Sequence, residues 1–390
     1  MTVLATSPLG KLRGRILPTI LGLGIATPPS VTQKQTALLA AELACQTPEQ
    51  RAWLARVFMR CGIENRGSVL APHDDPPQEA LRAFYPTPTG PDERGPTTAT
   101  RLARYVAEAP ALAYAAASAA LDDAHTLPAE ITHLITVSCT GFFAPGLDAS
   151  LIRQLQLSPS VQRLHVGFMG CHAAFNALAA ARDAVRACPE ARVLVCCVEL
   201  CSLHFSYGWD PGKLVANALF ADGAAAVVLG GAARDSSTDS TGSPASAPDR
   251  WRLLDTSSFL ISDSLDAMTW NIGDHGFEMT LAPSVPELVG RHLRPWCAAW
   301  LAKHNLKIAD IAHWAVHPGG PKVLAAVAAS LELPADALRH SRAILARHGN
   351  MSSATVLFIL QHMAGQPLDG PCVAIGLGPG LMAEGMLLER

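Results

Sequence analysis

Cys171 stands where the apolar run Leu164–Met169 gives way, across Gly170, to the Ala-rich stretch Ala173–Ala184. A cysteine at a strand-to-helix junction is a candidate nucleophile, because the first N–H groups of a helix and its positive dipole end stabilise a thiolate. Two later segments offer partners: HPGGP at His317–Pro321 a base, and GNMSS at Gly349–Ser353 an amide donor. Together these residue types point to acyl chemistry through a thioester.

Taken singly, each residue has a plainer explanation. Most free cysteines are inert buried thiols, and Asn350 between Gly349 and Ser352 would cap a helix. A histidine is usually structural, yet His317 ends the strand-like WAVH, and Pro318-Gly319-Gly320-Pro321 would expose its imidazole at a tight turn. His172 is adjacent to the cysteine but is a poor base for it, since consecutive helical side chains diverge by about 100°.

The elements that must position these residues follow from periodicity. β-rich apolar runs at Ile131–Ser138, Leu164–Val166, Arg192–Val198, Ala224–Gly230, Leu253–Ile261, Ala312–Val316 and Cys372–Gly376 read as strands. Helices are expected at Thr97–Ala124, Ala149–Gln156, Cys171–Ala187, Val285–His304, Lys322–Leu331 and Ser352–Met363. This alternation argues for α/β layers with buried sheets. The segment Arg234–Arg250, rich in Ser, Asp, Pro and Gly, reads as an exposed linker between an N-terminal half (1–233) and a C-terminal half (251–390). Cys171 lies in the first half and His317 and Asn350 in the second, so a shared site would sit at their interface, where ligand pockets are common.

Composition narrows the classes. In 390 residues, 49% are apolar and 16% charged, enough to bury a large core in two domains or halves. The net charge of −3, with no long basic run, suggests neither a nucleic-acid groove nor a polybasic membrane patch. Ten cysteines in no paired framework fit reduced thiols in a cytoplasmic protein. Lys11, Arg13 and Arg15 ahead of Ile16–Ala26 imitate a signal peptide, but a first strand closed by Thr27-Pro28-Pro29 fits better. No uninterrupted apolar stretch reaches the ~18 residues of a spanning helix.

The strings VGFMGCHAAFNALAAAR, ALFADGAAAVVLG, WAVHPGGPKVL, GNMSSATVLFIL and GLGPGLMAEGMLLE, read in order and spacing, resemble the type III polyketide synthases, the chalcone-synthase-like enzymes. The resemblance covers nearly the whole chain. It implies a thiolase-like α/β fold, a duplicated five-layer αβαβα arrangement, acting as a homodimer. Cys171 then matches the family's nucleophile, His317 its catalytic histidine and Asn350 its catalytic asparagine. An imidazolium at His317 would hold Cys171 as a thiolate that attacks a starter acyl-CoA. His317 and Asn350 would next stabilise the enolate formed as malonyl-CoA loses CO2. The scheme requires no metal and no cofactor, CoA thioesters being substrates.

Around this triad the resemblance also marks pocket positions. Phe220 matches a gatekeeper aromatic at the CoA-tunnel mouth, and Met279 replaces its phenylalanine partner with a softer thioether. Trp270 falls where chalcone synthases carry a glycine. Cys139, Cys201 and His204 align with pocket-lining threonines, and Ser352 keeps a small hydroxyl beside the nucleophile. Each of these is equally explained as core packing. Arg56 and Arg60 fall where the family has basic residues for CoA phosphates, while Trp53 occupies another of those basic positions. The departures look more like the bacterial alkylresorcinol and alkylpyrone branch than a chalcone maker, with a fatty acyl starter ahead of an aryl or short one. A single-condensation enzyme of the ketoacyl synthase III kind is the main alternative. A papain-like hydrolase lacks its C-G-S-C-W environment, and a non-catalytic acyl-CoA binder would not need the filled triad.

Overall fold

The computed structural model describes residues 17–71, 77–231 and 250–390. In the first half the chain runs through β1 (Pro18–Ala26), β2 (Ser30–Thr32), α1 (Gln33–Ala44), α2 (Pro48–Arg60), β3 (Asn65–Gly67), α3 (Pro77–Phe84) and α4 (Thr98–Asp123). It continues with β4 (His133–Ser138), α5 (Leu147–Leu155), β5 (Gln162–Gly167), α6 (Ala173–Ala187), β6 (Arg192–Leu200), α7 (Pro211–Leu219) and β7 (Asp222–Gly231). The second half opens with β8 (Arg252–Leu260), β9 (Met268–Gly273), β10 (Gly276–Leu281) and α8 (Val285–Ala302). It closes with β11 (His313–Val316), α9 (Pro321–Leu331), α10 (Arg339–His348), α11 (Thr355–Ala364), β12 (Pro371–Gly378) and β13 (Met382–Glu389).

Pairing exposes a duplication. In the first half β4 is parallel to β5 and β6, while β7 runs antiparallel to both β6 and β1. The second half repeats this order one strand short, with β11 parallel to β12, and β13 antiparallel to both β12 and β8. The two sets join edge to edge at one residue pair, Thr19 with Arg252, as a nine-stranded sheet. In each half the helix just before the third-paired strand, α6 before β6 and α11 before β12, enters at an equivalent place. Cys171 and Asn350 both lie just ahead of those helices.

Alternation along the strands builds the layers. Val193, Val195 and Cys197 of β6 face a central cluster that also holds α6, α11, Ala374 and Met386. Leu194, Cys196 and Val198 face the other way, onto α4 and α5. Val373, Ile375 and Leu387 of the second half likewise face α8 and α9. The result is five layers, with α6 and α11 between the two halves of the nine-stranded sheet. Burial on both sides explains why α11 is apolar all round, Val356 to Leu360 being at most 1% exposed.

Close approach has a sequence cause in β1. A Cβ on Gly22 would stand 2.4 Å from the Ala120 carbonyl oxygen, and one on Gly24 2.3 Å from that of Ala116, so α4 can lie on this strand only over glycine. The small buried face of α4, Ala109, Ala113, Ala116, Ala117 and Ala120, meets it. Thr97 caps this helix by accepting the Thr100 N–H.

Most expected elements appear within one to three residues of their places, with one consequential difference. The helix expected from Cys171 begins at Ala173, and Cys171 and His172 form a turn ahead of it. The linker reading of Arg234–Arg250 falls outside the described residues except for Arg250, and the charged start at Lys11–Arg15 falls outside them too. Among the described residues no helix is long and apolar enough to cross a membrane.

Candidate active site

Gly170 sets the corner that presents Cys171. Its φ of +85° suits glycine, and an added Cβ would meet Pro379 Cδ at 2.2 Å. The loop after β12 therefore packs directly under the nucleophile turn. Cys171 opens into a narrow cavity of about 30 Å³ lined by Cys139, Cys201, Phe220, Trp270, Met279 and Ser352, with Thr140, Met268, Thr269 and Pro379 completing the wall. Six sequence-predicted pocket residues thus converge on the sulfur. His204 lies in an adjoining chamber of about 20 Å³, which shares Cys201, Phe220, Trp270 and Met279 as its partition.

Asn350 makes two contacts at the site through different atoms. Its Oδ1 accepts the Ser352 N–H at 2.9 Å, a local cap, which leaves the amide Nδ2–H free to donate toward Cys171 Sγ. Its backbone is pinned between Leu219 and Ala221, the N–H donating to the Leu219 oxygen and the carbonyl accepting from Ala221, both at 2.9 Å. This bridge carries Phe220, so the gate residue and the amide donor share one backbone anchor. Ser352, held at a positive φ of 45°, also donates toward the sulfur.

Burial dominates the electrostatics. It pushes the Cys171 thiol up to about 12, against the pull of Ser352, Asn350 and the residue's own N–H. His317, 2% exposed at the end of β11, is pushed down to about 3 by burial and then by the nearby His172. Among the described residues neither ring nitrogen of His317 has a hydrogen-bond partner, so both are available. Its backbone N–H donates to the Ile375 oxygen at 2.8 Å, which fixes where the ring starts. Desolvation therefore opposes the expected thiolate–imidazolium pair at both groups, and the hydrogen-bond donors around the sulfur are what oppose desolvation.

Several determinants were not foreseen. Glu199, fully buried in β6, accepts from the Cys139 N–H at 3.0 Å, the Thr140 hydroxyl at 2.7 Å and the Ser353 hydroxyl. It braces the wall behind Cys171, and burial raises its pKa. A lone Glu within the apolar run RVLVCCVEL was the available signal. Arg66, 1% exposed, donates to the carbonyls of Asn217 at 2.9 Å, Ala218, and Phe220 at 2.7 Å. A cation on the orphan carbonyls at the end of α7 fixes Phe220, and nothing local to Arg66 announces it.

The β9–β10 hairpin forms the opposite wall. Trp270 and Met279 are register partners on it. Trp270 Nε1 donates to the Cys139 oxygen at 2.8 Å, and Lys213 donates to Glu278 at 2.8 Å. His204 clamps the same hairpin: its Nε2–H donates to the Thr140 oxygen at 2.7 Å and its Nδ1 accepts the Phe277 N–H at 3.0 Å. With its pKa pushed to about 3 by burial, His204 is a neutral staple. His172 is buried as well, its Nδ1 2.9 Å from Asn176 Oδ1, and Asn176 Nδ2 donates to Glu384 at 3.0 Å. Arg56 and Arg60 lie on the exposed face of α2 and line neither chamber.

The family model described as chalcone and stilbene synthases, N-terminal domain, matches residues 11–233, and that of the C-terminal domain matches 253–390. The chain belongs to this family, the type III polyketide synthases. It is 32% identical over 373 residues to the alpha-pyrone synthesis polyketide synthase-like Pks18 of Mycobacterium tuberculosis, covering 94% of this chain and 90% of that one. It is 35% identical over 368 residues to the 1,3,6,8-tetrahydroxynaphthalene synthase of Streptomyces peucetius subsp. caesius, covering 93% and 91%. The crystal structure of PKS-I from the brown alga Ectocarpus siliculosus superposes with a TM-score of 0.86 at 30% identity, covering 97% of this chain and 99% of that chain. The fold is thus thiolase-like, and the enzyme is an acyltransferase of the type III polyketide synthase class.

Proposed function

We propose that this synthase loads an acyl-CoA starter on Cys171, extends it iteratively with malonyl-CoA and cyclises the chain to a pyrone, resorcinol or related product. The observation that carries this reading is the convergence of Asn350 and Ser352 donors on a cysteine at the wall of a cavity with a second chamber beside it. His317 takes the thiol proton, and Cys171 Sγ attacks the starter carbonyl as CoA leaves with a proton. Loss of CO2 from malonyl-CoA puts negative charge on its thioester oxygen, which N–H groups of Asn350 and His317 stabilise. The enolate carbon then attacks the acyl-Cys171 thioester, releasing the thiolate and leaving a CoA ester two carbons longer.

The polyketide-synthase relatives favour iteration over the single condensation of a ketoacyl synthase III-like enzyme. The names of the pyrone- and naphthalene-forming relatives support a cyclised product. A homodimer is part of the reading: β5 is an edge strand, and Leu164, Phe142 and Met169 near it are exposed by 46%, 49% and 39%, as a second copy would cover. Ten free cysteines suit a cytoplasmic setting.

The test is incubation with malonyl-CoA and acyl-CoA starters of graded length, with products identified by mass spectrometry. Products longer than the starter by several two-carbon units are expected; extension by one unit at most would overturn iteration. Cys171→Ala should abolish the acyl-enzyme mass adduct, and an adduct persisting on another cysteine would move the nucleophile.

A further inference from the structure

Glu384 of β13 is buried, and both of its oxygens accept hydrogen bonds: Oε1 from Asn176 Nδ2 at 3.0 Å and Oε2 from the Ser258 hydroxyl at 2.5 Å. A carboxyl group that accepts at both oxygens is the ionised form. Because the Asn176 amide spends its N–H on Glu384, it turns its oxygen to His172, and His172 Nδ1, 2.9 Å away, must carry a proton. Side chains from β13, α6 and the nucleophile turn thus form a line with a negative charge at one end. At the other end is the imidazole next to Cys171.

Backbone packing brings that ring to the base. A Cβ built on Gly378 would lie 2.3 Å from His172 Cδ2 and 3.0 Å from its Nε2, so the imidazole rests against the bare Cα of β12. Three residues earlier on the same strand, the Ile375 oxygen accepts the His317 N–H at 2.8 Å. β12 therefore seats both histidines. After burial, the charge of His172 is what pushes His317 down, to about 3. The titratable groups around His172 are Cys171 on its own turn, His317 at the end of β11 and, through Asn176, Glu384 on β13. Glu199 on β6 acts on Cys171 from the opposite wall.

We infer that His172 is a positioning residue for Cys171 and His317: the Asn176–Glu384 line holds its ring as a cation, whose field lowers the pH at which the pair gives up its proton. A cation favours the deprotonated form of both neighbours, so at Cys171 it works against burial. His172 moves no proton itself. The inference rests on the roles proposed above for Cys171 and His317, and it supplies the charge that poises them.

The experiment follows alkylation of Cys171 by iodoacetamide, read by peptide mass, across acid to alkaline pH in wild type, His172→Phe and Glu384→Gln. Phenylalanine keeps a ring on Gly378 without a charge, and glutamine keeps the side-chain shape without the negative end. In His172→Phe the midpoint of Cys171 reactivity should rise by about one pH unit, cutting the rate about 10-fold below the midpoint while the alkaline plateau is kept. Glu384→Gln should move the midpoint the same way by less. A purely structural role would lower the rate by one factor at every pH. Midpoints that stay at the wild-type value in the folded variants, as checked by circular dichroism, would overturn the inference; if His172→Phe does not fold, Glu384→Gln decides it. The probe needs no CoA thioester. Wild-type protein that failed to condense acyl-CoA with malonyl-CoA would overturn the synthase reading, and the alkylation midpoints would still decide the role of His172.

Discussion

Replacing Trp270 by glycine tests how the pocket wall sets product length. The ring separates chambers of about 30 and 20 Å³, and its Nε1 holds the Cys139 carbonyl at 2.8 Å. Its removal should merge them and add the space the indole itself fills. The cost has three parts: about 1 kcal/mol for the lost hydrogen bond, about 1 kcal/mol for glycine in a strand, and about 2 kcal/mol for the packing of a half-buried ring, less than the 3–5 kcal/mol of a fully buried one. A fall in Tm of several degrees should follow, with the fold retained. Liquid chromatography with mass spectrometry on a fixed starter should then show longer or redistributed products. Trp270→Phe, which keeps most of the wall but not the N–H, should keep the wild-type distribution at a smaller loss of Tm. An unchanged profile in a folded Trp270→Gly protein would refute the partition.

Further tests address the other groups. Asn350→Ala should slow malonyl-CoA decarboxylation by about 10²–10³-fold, as removal of one oxyanion donor does, and slow Cys171 acylation less, because Ser352 and the Cys171 N–H still support the sulfur; acyl-enzyme mass and CO2 release separate the two. Gly170→Ala forces a Cβ against Pro379 at a positive φ, so a loss of about 2 kcal/mol and slower alkylation of Cys171 are expected. His204 and His317 have pKa values of about 3 in the folded protein against about 6.5 unfolded. The unfolded chain therefore binds protons that the folded one does not, and stability should fall as pH drops below about 6.5, by about 1.4 kcal/mol per pH unit for each histidine. Denaturant melts of His204→Gln should show a shallower acid slope by one proton and curves parallel to wild type above pH 7.

The candidate triad and much of the layering were legible because their signals are local. Pro318 to Pro321 must break a strand after His317, Gly349 and Ser352 flank Asn350 with turn chemistry, and apolar alternation marks β6 and β12. His172, set aside as a base on helical geometry, in fact precedes the helix, and its Nδ1 lies against Asn176 Oδ1. The β9–β10 hairpin was not recognised as an element, since its outward side chains are mixed in polarity and its partners lie in the other half.

The sequence by itself named the candidates for the chemistry, since nucleophile, base and donor are proposed by residue type within short motifs. The tertiary structure decided what those groups experience. Arg66 fixes Phe220 across 154 positions, and Glu199 braces Cys139 across 60. Trp270 closes the pocket by bonding a carbonyl 131 positions away. Periodicity reports only neighbours within a few residues, whereas desolvation and cavity shape arise from packing two halves of the chain together.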